Sequence, residues 1–192
     1  MYNPAFDLAV LSAMLDDYEE FIKSDVVLWQ LSESGGVLSR FPKLTVGGLL
    51  LVRQRISGLQ ASFSTQARQD AASLFDELDG KLDSWRANLE RKALAELNLR
   101  FNSWAWYLDD CDDSPANCDR NYAGEVYART YLKFLLDLLA ERPEAEPGRS
   151  RLQALDIRLR KNFAPGGFVW DESLRVAFPQ SEFWFLHGFP AY

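Results

Sequence analysis

The run Asp109-Asp110-Cys111-Asp112-Asp113, with Cys118 and Asp119 close behind, is the one stretch whose residue types and spacing suggest chemistry. Carboxylate oxygens gathered in this way suit a hard divalent cation. Asp109, Asp110, Asp112, Asp113 and Asp119 are therefore the candidate metal ligands, with Asn117 beside them, and a divalent cation is the only cofactor the chain suggests. The spacing departs from a calcium-hand loop: counted from Asp110, the third and fifth places hold Asp112 and Ser114, but the sixth is not glycine and the twelfth is Asn121. A zinc site needs about four soft ligands, which two cysteines and one histidine do not supply. The expected state is plainer, a solvated acidic loop with Asp119 or Asn121 capping the next helix. Acids at the C-terminal end of a helix oppose its dipole, so a cation, basic side chains or water must offset them.

The internal counterpart is basic. Arg149, Arg151, Arg158, Arg160 and Lys161 lie on one stretch relieved only by Asp156. They could dock on the aspartates or meet an acidic partner; an exposed face opposite the leucines is the simpler expectation. With Trp170 and Trp184 from the aromatic C-terminus, Arg149, Arg151, Arg158 and Arg160 are the candidate partner-binding residues, because arginine and tryptophan dominate binding hot spots.

Nucleophilic catalysis finds no support. His187 stands alone among aromatics and is expected to bond a carbonyl as a core or tail residue. Cys111 sits among carboxylates, which would raise a thiol's pKa and blunt it as a nucleophile. No nucleophile elbow, zinc-protease, dinucleotide-binding or kinase pattern occurs.

The elements that position these residues follow from periodicity. Leu74, Leu78, Leu82, Trp85, Leu89, Ala93, Leu97, Phe101, Trp104 and Leu108 recur at steps of three or four, which places them on one helical face. An unbroken helix of this length would run about 65 Å, so a break is expected at Gly80, with a second near Asn102-Ser103. Glu77–Lys81 and Glu96–Arg100 have the spacing of exposed i,i+4 ion pairs. The chain begins with a helix over 4–23, capped by Asn3, with Pro4 at its first position and its acids mostly off the buried face. Residues 25–43 read as an irregular excursion that breaks at Ser34-Gly35-Gly36 and packs Trp29 and Phe41 onto the bundle. Thr45 caps a helix to about Gly58, and Gly47 and Gly48 in its first turn imply a close backbone contact. Further helices are expected over 121–142, apolar nearly all round and hence central, and over 149–163. Nine aromatics between Phe163 and Tyr192 form a tail with one or two short helices that wraps the bundle. Residues 1–192 thus read as a single all-α domain, a bundle of about five to seven helices with an aromatic-rich C-terminal tail.

The chain is 47% hydrophobic and 26% charged, values of a globular rather than a disordered protein. Its net charge of −7 comes wholly from residues 1–113, where 18 acids meet 11 bases. That charge disfavours binding to nucleic acid. Acids near the N-terminus exclude a secretory or transit signal there, no stretch suits a membrane span, and two cysteines make no disulfide framework. The expected compartment is cytoplasmic, with both thiols reduced. The favoured function is a non-catalytic protein-interaction module, in one form an acidic inhibitor or immunity-type partner of a basic protein. Two alternatives stand beside it: a metal-dependent hydrolase whose Asp109–Asp113 carboxylates converge with an acid such as Glu125, and a small-ligand sensor with an aromatic pocket under the tail.

Overall fold

The structure, a computed structural model, describes residues 2–32 and 41–191, apart from the side chains of Ala116 and Asn117. The expected break at Ser34-Gly35-Gly36, the side chain of Asn117 and the terminal Tyr192 lie outside the described residues. The chain folds as an all-α bundle: α1 (Pro4–Asp16), α2 (Tyr18–Lys23), α3 (Val46–Leu59), α4 (Thr65–Ser84), α5 (Arg86–Asp113), α6 (Pro115–Leu138) and α7 (Glu146–Lys161). A short antiparallel ribbon accompanies them, β1 (Phe163–Pro165) against β2 (Gly188–Pro190), with Ala164 opposite Phe189. No helix among the described residues is long and apolar enough to cross a membrane.

Local signals set the helix starts. Asn3 accepts from the backbone N–H of Ala5 with Pro4 next in line, and the Thr45 hydroxyl accepts from Gly48. Each satisfies a donor that the first helical turn leaves orphaned. The expected helix over 4–23 is broken at Asp17, and the reason is tertiary. The Asp17 carboxylate is turned inward to accept from the Trp29 indole at 3.2 Å and from the Ser32 N–H at 2.7 Å. It thereby ties down the excursion after α2, which also bridges Trp29 to Leu44 by backbone bonds. Asp7 is buried as well, so two acids of this segment lie inside rather than off the face.

The long apolar stripe breaks at Trp85, not at Gly80. Just before the break, the Ser84 hydroxyl donates to the Gly80 carbonyl at 2.7 Å, a back-bond that competes with the helical ladder and bends helices. The second expected break, near Asn102-Ser103, does not occur, because α5 runs unbroken to Asp113. The two halves of the stripe fare differently. In α4 only Ala71 and Leu78 are buried, whereas α5 buries Leu89, Ala93, Leu97, Phe101, Trp104 and Leu108. The reason is that α5 lies along α6, the central helix of the bundle, while α4 lies at its edge.

Glu96, expected on the exposed side, is fully buried. It accepts from the Gly47 N–H at 3.0 Å and from Arg100 Nε and Nη2 at 2.9 and 2.8 Å. Here lies the close contact implied by the glycines of α3: a Cβ on Gly47 would stand 2.9 Å from Cβ of Tyr131. Lys92 is likewise buried, its amine held by the Ser24 and Val26 carbonyls and lying over the Phe21 ring.

The C-terminal aromatics are core. Phe178, Phe183 and Phe185 are almost wholly enclosed and meet edge to face. They fill space rather than line a pocket, each contributing about 2–3 kcal/mol by burial. The tail holds two 3-10 segments, Glu172–Ala177 and Trp184–Leu186, as short helices were expected; the ribbon was not foreseen. Gly188 makes that ribbon possible with φ of 156°, a region closed to other residues, and a Cβ there would collide with the Ala164 carbonyl.

Candidate partner-binding face

The acidic run is not a loop. Asp109–Asp113 is the last turn of α5, and α6 begins at Pro115, six residues before the Asn121 start expected of it. Pro115 at the first helical position carried the signal, since a missing N–H costs nothing there. Among the described residues no group of three or more His, Cys, Asp or Glu side chains is placed to hold a metal ion. The candidate ligands are instead divided. Asp109 and Asp112 are clasped by Arg158, whose Nη1 donates to Asp109 at 2.6 Å and whose Nε and Nη2 donate to Asp112 at 3.0 and 2.5 Å. Arg158 Nη2 also donates to the Leu108 carbonyl at 2.7 Å. One guanidinium thus answers both the carboxylates and the negative end of the helix dipole. Arg158 is therefore no free exposed cation: at this residue the basic helix docks on the acidic run, where an exposed face was the simpler expectation. Asp119 is exposed in the first turns of α6, and among the described residues Glu125 does not converge with the aspartates into a metal-holding group.

Cys111 and Cys118 form a disulfide, their Cα atoms 4.8 Å apart. This corrects the expectation of two reduced thiols. Cys111 is fully enclosed, so its carboxylate neighbours in sequence say nothing about its reactivity. The bridge staples the end of α5 to the first turn of α6 around Ser114. Tyr107 adds a second tie, its hydroxyl donating to the Cys118 carbonyl at 2.8 Å.

On this doubly fastened helix end, one residue breaks the pattern. Trp106 is 72% exposed, while Trp104 two positions earlier is fully buried. Positions 99, 102, 106, 110 and 113 fall within one helical stripe, so Leu99, Asn102, Trp106, Asp110 and Asp113 share the outer face of α5. The carboxylates of Asp110 and Asp113 have no ion-pair partner among the described residues, unlike Asp109 and Asp112. Trp106 lies off the periodic apolar positions that name the buried face of α5, so that periodicity does not single it out. The signal was nonetheless present: position 106 falls among the polar residues opposite the stripe of a long amphipathic helix, where a side chain faces solvent.

The remaining candidates are engaged with the protein itself. Arg149 donates to the Leu139 and Ala140 carbonyls and pairs with Glu146. Arg151 reaches Asn102 at 3.4 Å and lies over Phe101. Arg160 lies 3.5 Å over the Trp184 ring, and Trp170 stacks on Tyr127 and donates to the Ala123 carbonyl. Arg149 and Arg160, with Arg129 and Lys133, also line a groove of about 630 Å³ between α6 and α7. Two of its cations are matched within the same walls: Arg129 binds Asp156 through two bonds of 2.7 Å, and Lys133 meets Asp137 and Glu182. His187 is buried with Nε2 2.8 Å from the Phe178 carbonyl, as its surroundings in sequence implied.

Comparison of the chain with protein-family models, with curated proteins and with solved structures finds no match.

Proposed function

We propose that this protein is a non-catalytic interaction module that grips a basic partner through the outer face of α5. The observation that carries the reading is Trp106, exposed on a rigid helix end with Asp110 and Asp113 beside it. An exposed tryptophan flanked on its helical face by unpaired carboxylates fits an apolar slot with a cationic rim, and aromatic anchors of this kind dominate binding energies. The Arg158 clasp and the disulfide hold the stripe in place before binding, which lowers the ordering cost that association would otherwise carry. The wider charge agrees: Asp16, Glu20, Asp76 and Asp83 are exposed on α1, α2 and α4 without ion-pair partners among the described residues, so a net −7 chain steers cationic surfaces toward itself.

The disulfide bears on the compartment. Disulfides persist in oxidising surroundings and are rare in the cytosol, so this reading moves the protein from the cytoplasmic expectation toward an oxidising compartment. Alkylation of free thiols in protein from its own cells tests this: blocked cysteines agree with it, and two labelled thiols refute it.

The function is tested by affinity capture with the full chain as bait at about 0.05 and 0.5 M salt. A basic protein held at low salt, released at high salt, and lost with Trp106→Ala is the expected result. Capture that survives Trp106→Ala and Asp110→Asn/Asp113→Asn together would sink the proposal.

A further inference from the structure

Arg55 on α3 and Arg100 on α5 have the same side-chain exposure, 16%, yet they are satisfied very differently. Arg100 has two short bonds to the buried Glu96. Arg55 makes one hydrogen bond, from Nη2 to the Tyr127 hydroxyl at 3.1 Å. Its Nε is buried without an acceptor, and the nearest carboxylate oxygen, on Asp7, lies 3.8 Å from Nη1. That carboxylate already accepts from the Tyr2 hydroxyl at 2.7 Å. Burial pushes the Asp7 carboxyl's pKa up, while the Tyr2 hydroxyl and Arg55 pull it down. An arginine with unused donors costs free energy unless something else accepts from it.

Arg55 lines a cleft of about 400 Å³ between α1, α3 and α6, within the size range of small-ligand sites. Phe6, Phe41, Tyr127 and Tyr131 contribute aromatic walls, and Phe6 meets Phe41 edge to face at 5.5 Å. Among the described residues the only other charged residue in the lining is Lys43, exposed and without an ion pair, and no carboxylate lines the cleft. In the larger α6–α7 groove, by contrast, acids in the wall pair with two of the cations.

We propose that this cleft binds a small carboxylate with an apolar body, the anion on Arg55 and Lys43 and the body against Phe6, Phe41 and Tyr131. Arginine supplies a planar fork that matches a carboxylate in two bonds, and the aromatic rings exclude water around it. The site is independent of the α5 face.

Calorimetric titration of the full chain with 3-phenylpropionate, and with 3-phenylpropionamide as its neutral counterpart, tests the proposal. Saturable binding of the acid, with the amide about tenfold weaker, is expected. Arg55→Gln should abolish the preference and Lys43→Met should reduce it. Trp106→Ala should leave it unchanged, which keeps this result separate from the partner-binding one. Equal affinity for acid and amide, or no saturation by about 10 mM acid, would overturn the proposal. Should Arg55→Gln fail to fold by circular dichroism, Lys43→Met decides, since Lys43 is exposed and unpaired; an unaltered preference there refutes the site.

Discussion

Arg100 and Arg55 present two ways of placing a cation beside the same helix. Arg100 lies over the Tyr131 ring, one turn along α6 from the Tyr127 that Arg55 contacts. Around Arg100 every strong group finds a partner inside the protein: Glu96 joins the guanidinium to the Gly47 N–H, and Thr45 caps α3 alongside. Around Arg55 the protein leaves donors idle beside open volume. The lesson is that two arginines of equal exposure can differ widely in how far the protein satisfies their donors. The end of α5 repeats the contrast. Asp109 and Asp112 are consumed by Arg158, and the half-buried Asp110 and the exposed Asp113 are left without ion pairs among the described residues on the face of Trp106.

The largest effect should come from the saturated side. Glu96→Ala leaves the Arg100 guanidinium and the Gly47 N–H without their acceptor, a loss of about 3 kcal/mol or more. Urea denaturation measures it, and a change under about 1 kcal/mol would show that the Arg100 network is no more structural than Arg55. Next, joint replacement Cys111→Ser and Cys118→Ser should destabilise by about 2.5 kcal/mol, the loop-closure value for so short a bridge. The same denaturation curves read it, and the variant should match the wild-type chain under reductant. The smallest effect concerns the idle side. Burial holds the Asp7 carboxyl above the ordinary 3.8, with the Tyr2 hydroxyl and Arg55 pulling the other way. The folded state therefore keeps this proton more tightly than the unfolded chain. Stability from it is complete below pH 3.8 and is lost as the pH rises through the folded value. Asp7→Asn removes that titration, so the variant should gain on the wild type between pH 4 and 7 by a fraction of the roughly 1.4 kcal/mol that one unit represents. A gap that does not change with pH would mean that Arg55 does hold Asp7 as an ordinary ion pair, and the contrast with Arg100 would weaken.

Much of the architecture was legible because it is local. Apolar positions at three- and four-residue steps name the buried face of each helix without reference to any other element, and Asn3 and Thr45 announce helix starts through bonds to their own next turn. The environment of His187 could be read from its aromatic neighbours. Trp106 was legible in principle, as an aromatic at a polar-face position. What could not be read depends on chain segments far apart. Nothing near Asp17 forecasts that its carboxylate will hold the 29–32 segment, nor does Glu96 in an exposed-looking Glu–Arg pair reveal that α3 will press Gly47 against it. The ribbon of β1 and β2 joins strands 25 residues apart, each too short to show a period of two.

The residues of this chain by themselves determined that it is helical, where most helices begin, which faces turn inward and that its surface is acidic, because dihedral preference, periodicity and net charge act within a few residues or over the whole sum. Only the tertiary structure decided which charges are spent. Whether an aspartate meets Arg158 or water, whether two cysteines meet each other, and whether an arginine on α3 lies beside a glutamate or beside an empty cleft all depend on where packed helices bring distant side chains. Hydrogen bonds and ion pairs fall off within a few ångströms, so these outcomes follow from packing geometry rather than from sequence spacing.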